Sequence, residues 1–94
     1  MLSLVAFAAQ GCLRSKPDTA TGVVIAVDGP SVADVERFTL RTDDGLVLAL
    51  RVGRLDLDNG GLPAPHLRDH LLSGEPVTVY YYVDEVIRYT DAAR

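Results

Sequence analysis

The sequence predicts a small, mainly β domain in which five strands and one short helix follow the order β-β-β-α-β-β and close into a barrel. Three observations predict it. Apolar and polar residues alternate in short runs separated by turns rich in Gly, Asp and Pro, which is the period of half-buried strands. One stretch, residues 66–74, instead repeats its leucines at helical spacing. With 94 residues, the chain has room for one domain and a small core.

The elements follow in order. "ATGVVIAVDG", residues 20–29, is rich in β-branched side chains and stops at Asp28-Gly29-Pro30, a strong turn signal. "ERFTLRTDDG" alternates Phe38, Leu40 and Thr42 with Arg37, Thr39 and Arg41, giving one apolar and one wet face. Gly45 then supplies the positive φ of a hairpin turn. The third strand, "LVLALRVG", places Leu46, Leu48, Leu50 and Val52 on one face. Residues 53–63 are turn-rich. Pro65 suits a first helical turn, Leu67, Leu71 and Leu72 form the apolar face, and Gly74 suits the stop. So short a helix must be held by docking on the sheet. "PVTVYYYV" and "EVIRYTDA" supply the last two strands, joined tightly at Asp84 and Glu85, with Val77, Val79, Tyr81 and Val83 facing inward.

Three strands, a helix and two strands within about 75 residues is the order of the OB-fold, a five-stranded barrel whose helix plugs one end between the third and fourth strands. A five-stranded SH3-like barrel is the competing architecture, and the helix before the last two strands argues against it. The stretches "GVVIAVDG", "FTLRTDDG", "HLRDHLLSGEPVTVYY" and "VIRYTDA", within residues 21–91, also carry a likeness. In them the chain resembles a small bacterial domain of unknown function found in short secreted or lipoprotein-like chains. That resemblance implies a fold and no activity.

The start of the chain reads "MLSLVAFAAQGC". Small residues ahead of Cys12, after the apolar stretch 2–9, resemble the end of a bacterial lipoprotein signal, in which the cysteine is acylated and becomes the mature N-terminus. The stretch is short and has no Lys or Arg before it, as a start codon assigned too far downstream would explain. Residues 1–11 are therefore expected as a lipoprotein-type signal, Cys12 as the lipid attachment point, 12–19 as a polar tether and 20–92 as the barrel. Two other readings stand beside it: residues 2–9 as an extra packed segment with Cys12 a small buried hydrophobe, or Cys12 as a reactive cytosolic thiol. A single Cys excludes an intramolecular disulfide, so the core has no such staple.

Chemistry-bearing residues are few. His66 and His70 stand at i and i+4, a spacing that sets two imidazoles on one helix face as candidate metal ligands. A third ligand is expected from Asp56, Asp58 or Asp69. The alternative is a structural or solvent-facing pair, with His70 bordering the apolar face and bonding a backbone carbonyl. "DLDNGG" has short oxygen ligands beside a turn but lacks the closing Glu of a calcium loop, since position 67 is Leu, and reads as a turn. Tyr80, Tyr82 and Tyr89 form a candidate binding surface on the outer face of the last hairpin, against an alternative of sheet propensity alone.

Thirteen acidic against nine basic residues disfavour nucleic acid as a partner. Arg37, Arg41, Arg51 and Arg54 lie on or near the second and third strands, but the one aromatic there, Phe38, points inward. No nucleophile elbow, phosphate-cradling loop or paired carboxylate marks an enzyme, and no cofactor is implied. The expectation is an OB-like binding or accessory module, extracytoplasmic and attached to the bacterial membrane only through its lipid, with a protein or small molecule as partner. The alternatives are a metal or haem carrier using the helix histidines, and a cytoplasmic single-strand binder.

Overall fold

The computed structural model describes residues 16–92; the expected leader, Cys12 and the first part of the tether lie outside them. Five strands form a closed barrel in the order β1-β2-β3-β5-β4: β1 (Asp18–Asp28), β2 (Arg37–Thr42), β3 (Val47–Val52), β4 (Val77–Tyr82) and β5 (Glu85–Asp91). A 3-10 turn, Ala64–His66, leads into helix α1, Leu67–Ser73, between β3 and β4. The architecture is the OB-like barrel that the element order predicts.

Closure depends on β1. Its first half pairs with β4 (Asp18↔Tyr81 to Gly22↔Val77) and its second half with β2 (Gly22↔Thr42 to Asp28↔Arg37), so Gly22 is shared by both neighbours. A Cβ on Gly22 would stand 2.1 Å from the Arg41 carbonyl oxygen, so only glycine lets the two backbones cross there. The strand begins at Asp18, two residues ahead of the expected one. A bulge at Ile25 then shifts the register, leaving Ile25 exposed and turning Val27 towards the core.

The core is built from Val24, Val35, Phe38, Leu40, Leu50, Leu67, Val77, Val79, Val86 and Tyr89. Tyr89 corrects the sequence reading: it was expected on the outer face with Tyr80 and Tyr82 and is instead fully buried. The cause is a register shift in the last hairpin, where Tyr80 pairs with Arg88 but Tyr81 with Val86, leaving Ile87 as the extra residue. That bulge inverts the alternation, so Val86 and Tyr89 both point inward at a spacing of three.

Other inward expectations fail locally. Leu46 lies in the β2–β3 turn and is exposed. Leu72 is 85% exposed, because from Leu67 the inner helix positions are His70 and Leu71. Val83 is 87% exposed with φ +60, a left-handed conformation that a β-branched residue adopts under strain, forced by the tight turn from β4 to β5.

Between β3 and the helix the chain stays beside β5. Strands β3 and β5 pair in parallel over only two residue pairs, Arg51↔Glu85 and Val52↔Val86. Thereafter the segment 53–63 takes over: Gly53 N–H donates to Val86 O at 2.9 Å, Asp56 N–H to Ile87 O at 2.8 Å and Leu62 N–H to Tyr89 O at 3.0 Å. The buried Tyr89 hydroxyl donates to Pro63 O at 2.6 Å. Helix α1 then ends at Gly74, whose φ of +73 suits glycine at a C-cap, with its N–H on His70 O at 2.9 Å.

Burial, reinforced by the negative charges of Asp91 and Asp69, raises the Tyr89 hydroxyl well above the ordinary tyrosine range. An unfolded tyrosine ionises near about pH 10, so the contribution of this side chain is complete below that pH and is lost as pH rises through the raised folded value. Tyr89→Phe is expected to cost about 1–2 kcal/mol at neutral pH by orphaning the Pro63 carbonyl. Denaturant titrations at neutral and strongly alkaline pH should show the parent losing stability more steeply than the variant.

Candidate functional site

Two concavities among the described residues are lined by polar side chains, and the second of them also by apolar ones. The first, about 310 Å³, lies where the helix meets the ends of the last hairpin and is lined by His66, Asp69, His70, Ser73, Glu75 and Asp91. Asp91 reaches this place because it is the last residue of β5 and pairs with Val77, the first of β4. Ala92 N–H donates to Pro76 O at 3.1 Å and holds the end of that ladder.

The two histidines behave differently. His70 is buried, with 4% of its surface exposed, because it occupies an inner position of the helix one turn after Leu67. Its Nδ1 lies 2.8 Å from Glu75 O. A carbonyl only accepts, so Nδ1 carries the proton, and in the neutral ring Nε2 then carries the lone pair. That Nε2 is 2.8 Å from Asp91 Oδ1 and yet makes no hydrogen bond. His66, partly exposed on the 3-10 turn, meets His70 edge to face with ring centroids 4.9 Å apart. Its Nδ1 is 3.1 Å from Asp69 Oδ2.

One ring nitrogen from each histidine and one Asp91 oxygen all lie within 4.8 Å of one another. The histidine spacing thus brings both imidazoles together, as the sequence suggests. The third group is Asp91, which sequence reasoning missed; only the β4–β5 register places it there. Asp56 and Asp58 serve the connecting loop instead: Asp58 N–H donates to Asp56 Oδ1 at 2.9 Å and Gly61 N–H to Asp58 O at 3.1 Å, the bonds of a turn. Asp69 stands against His66 as an orienting carboxylate.

The second concavity, about 320 Å³, lies between the start of β1 and the β2–β3 turn, with Ala20, Leu48 and Tyr81 as its floor. Each of these is partly buried against the core. Asp43 and Asp44 form an acidic rim, with Leu46 exposed beside them. The rim is fixed by Thr42, whose Oγ1 accepts Leu46 N–H at 3.0 Å and donates to the Asp44 carboxylate. That hydroxyl bond lowers the Asp44 carboxyl below its ordinary range, so it stays charged at neutral pH.

The outer tyrosine surface is smaller than expected. Tyr89 has left it for the core, and the Tyr80 ring is covered by the Arg88 guanidinium, 5.5 Å from its centroid. Arg88 also donates to Asn59 O, which ties it to the connecting loop. Of the arginines weighed for nucleic acid, Arg51 is held by the Asp84 carboxylate through contacts of 3.2–3.3 Å, with Glu85 at 3.7 Å, which keeps its guanidinium protonated. No known protein family, curated protein or solved structure matches this chain.

Proposed function

We propose that the chain is a non-catalytic binding module, an OB-like barrel held at the outer face of a bacterial membrane through a lipidated Cys12, which receives a cationic, partly apolar segment of a partner protein. The acid-rimmed cleft between β1 and the β2–β3 turn carries this reading. A lysine or arginine side chain suits such a cleft because its alkyl stem can lie on Tyr81 and Leu48 while its charged end meets Asp43 and Asp44. Exposed Leu46 and Val47 extend the apolar surface beyond the rim, where an adjoining apolar residue of the partner would rest. The chain's net charge of -4 favours the same sign of partner through long-range steering.

Membrane attachment is supported by the sequence pattern that ends at Cys12 and by the polar residues after it. Among the described residues no helix is long and apolar enough to cross a membrane.

Two measurements test the reading. Short Lys-containing apolar peptides, titrated into the isotopically labelled protein, should shift the amide resonances of Thr19–Thr21, Thr42–Leu46 and Tyr81, and Asp43→Asn with Asp44→Asn should weaken binding at least about tenfold. Equal responses to Glu-containing counterparts, or shifts spread elsewhere, would remove the cleft as the binding site. In a bacterial host expressing the gene with its native upstream region, Cys12→Ser should release the chain from the membrane fraction. Unchanged association would contradict lipid anchoring.

A further inference from the structure

We propose that His66, His70 and Asp91 form a binding site for a divalent transition-metal ion of the borderline class, with Zn²⁺ as its prototype. The proposal is independent of the cleft. It stands on two separate observations: three ligand atoms within 4.8 Å of one another, and a buried His70 whose Nε2 faces them without a hydrogen bond.

The second observation is the more telling. A buried ring nitrogen left unpaired is costly, so a fold keeps one where something else satisfies it. With Nδ1 protonated by its bond to Glu75 O, the lone pair at Nε2 faces the Asp91 carboxylate. Two electron-rich atoms at 2.8 Å repel unless a proton or a cation lies against both. No hydrogen bond bridges them. A cation beside the pair bonds both at once, because ligands of one ion meet it from different directions rather than facing each other.

The surrounding groups match those of known metal-ligating histidines. Such a histidine commonly donates its other ring N–H to a carbonyl or carboxylate, which fixes tautomer and orientation. His70 has this bond to Glu75 O, while His66 has the Asp69 carboxylate 3.1 Å from its Nδ1. Two imidazoles and one carboxylate suit Zn²⁺, Co²⁺, Ni²⁺ or Cu²⁺ better than the oxygen-seeking Ca²⁺ or Mg²⁺. Zinc ligands at about 2.0–2.2 Å stand roughly 3.3–3.5 Å apart in a tetrahedron, so the His70–Asp91 pair must open by about half an ångström while the widest pair closes by about an ångström. The necessary freedom is present: the His66 side chain is 37% and the Asp91 side chain 66% exposed, while His70 is fixed. Three protein ligands leave a further position for water or for a group on another molecule. Binding would also fasten α1 to the end of β5.

The test is calorimetric titration of the full chain with Zn²⁺ at neutral pH, accompanied by thermal melts. The expected result is saturable binding of one ion and a raised Tm. His66→Ala, at a partly exposed position, and Asp91→Asn, at an exposed one, should each weaken binding at least about tenfold and remove most of the Tm gain. Asp56→Asn with Asp58→Asn should leave both unchanged, and so should Cys12→Ser, which removes the thiol as a competing ligand. Absence of binding in the parent overturns the proposal. So does binding that survives both ligand substitutions.

Discussion

The outer edge of β5 is the constraint on which the rest of the structure depends. A barrel of five strands closes only if that edge finds hydrogen-bonding partners, since unpaired backbone groups beside a core are expensive. Strand β3 supplies only two residue pairs before it diverges. The irregular segment from Gly53 to Leu62 supplies the others, and the Tyr89 hydroxyl extends the attachment to Pro63. A loop rich in Gly, Asp and Pro thus acts as the missing part of a strand. Tyr89 is central to it: its ring fills the core, its carbonyl receives Leu62, and its hydroxyl fixes the residue before the helical turn.

From this the positions of the functional groups follow. Pro63 begins the turn that carries His66, and helix α1 continues directly to His70, so the loop's attachment to β5 determines where both imidazoles stand. Asp91 is two residues beyond Tyr89 on the same strand. The candidate metal ligands therefore share one framework, with the core tyrosine between them. Arg68 adds a second hold on the helix, donating from Nε to Val32 O at 3.1 Å and from Nη2 to Ser31 O at 3.0 Å across the β1–β2 loop. The cleft has a different basis, because its rim depends on the β2–β3 hairpin and on Thr42.

Much of the fold was legible in the sequence, since alternation and turn chemistry are local signals. The five strands, the helix, the hairpin at Asp43-Asp44-Gly45 and the stop at Gly74 all follow from such patterns. What could not be read is non-local. Bulges at Ile25 and Ile87 reverse the in-out phase within a strand, and neither residue type marks its own irregularity. For that reason Tyr89 reads as an outer residue when it is placed opposite Tyr80 across the last turn, whereas it pairs with the inward Val79 and belongs to the core. The histidine pair was visible through its i, i+4 spacing, whereas Asp91 enters only through strand pairing far along the chain. Val83 has no sequence signal at all for its left-handed backbone; an Asn or Gly would have shown it.

Residue-resolved amide hydrogen exchange tests the central claim most directly. If the loop serves as the outer partner of β5, the amides of Gly53, Asp56 and Leu62 should exchange as slowly as those inside the β4–β5 ladder, opening only when the barrel opens. In Tyr89→Phe the Leu62 amide should lose protection first. Exchange of all three amides at the rates of an exposed loop, while β4 and β5 stay protected, would contradict the account and leave the position of the helix to be explained by other contacts.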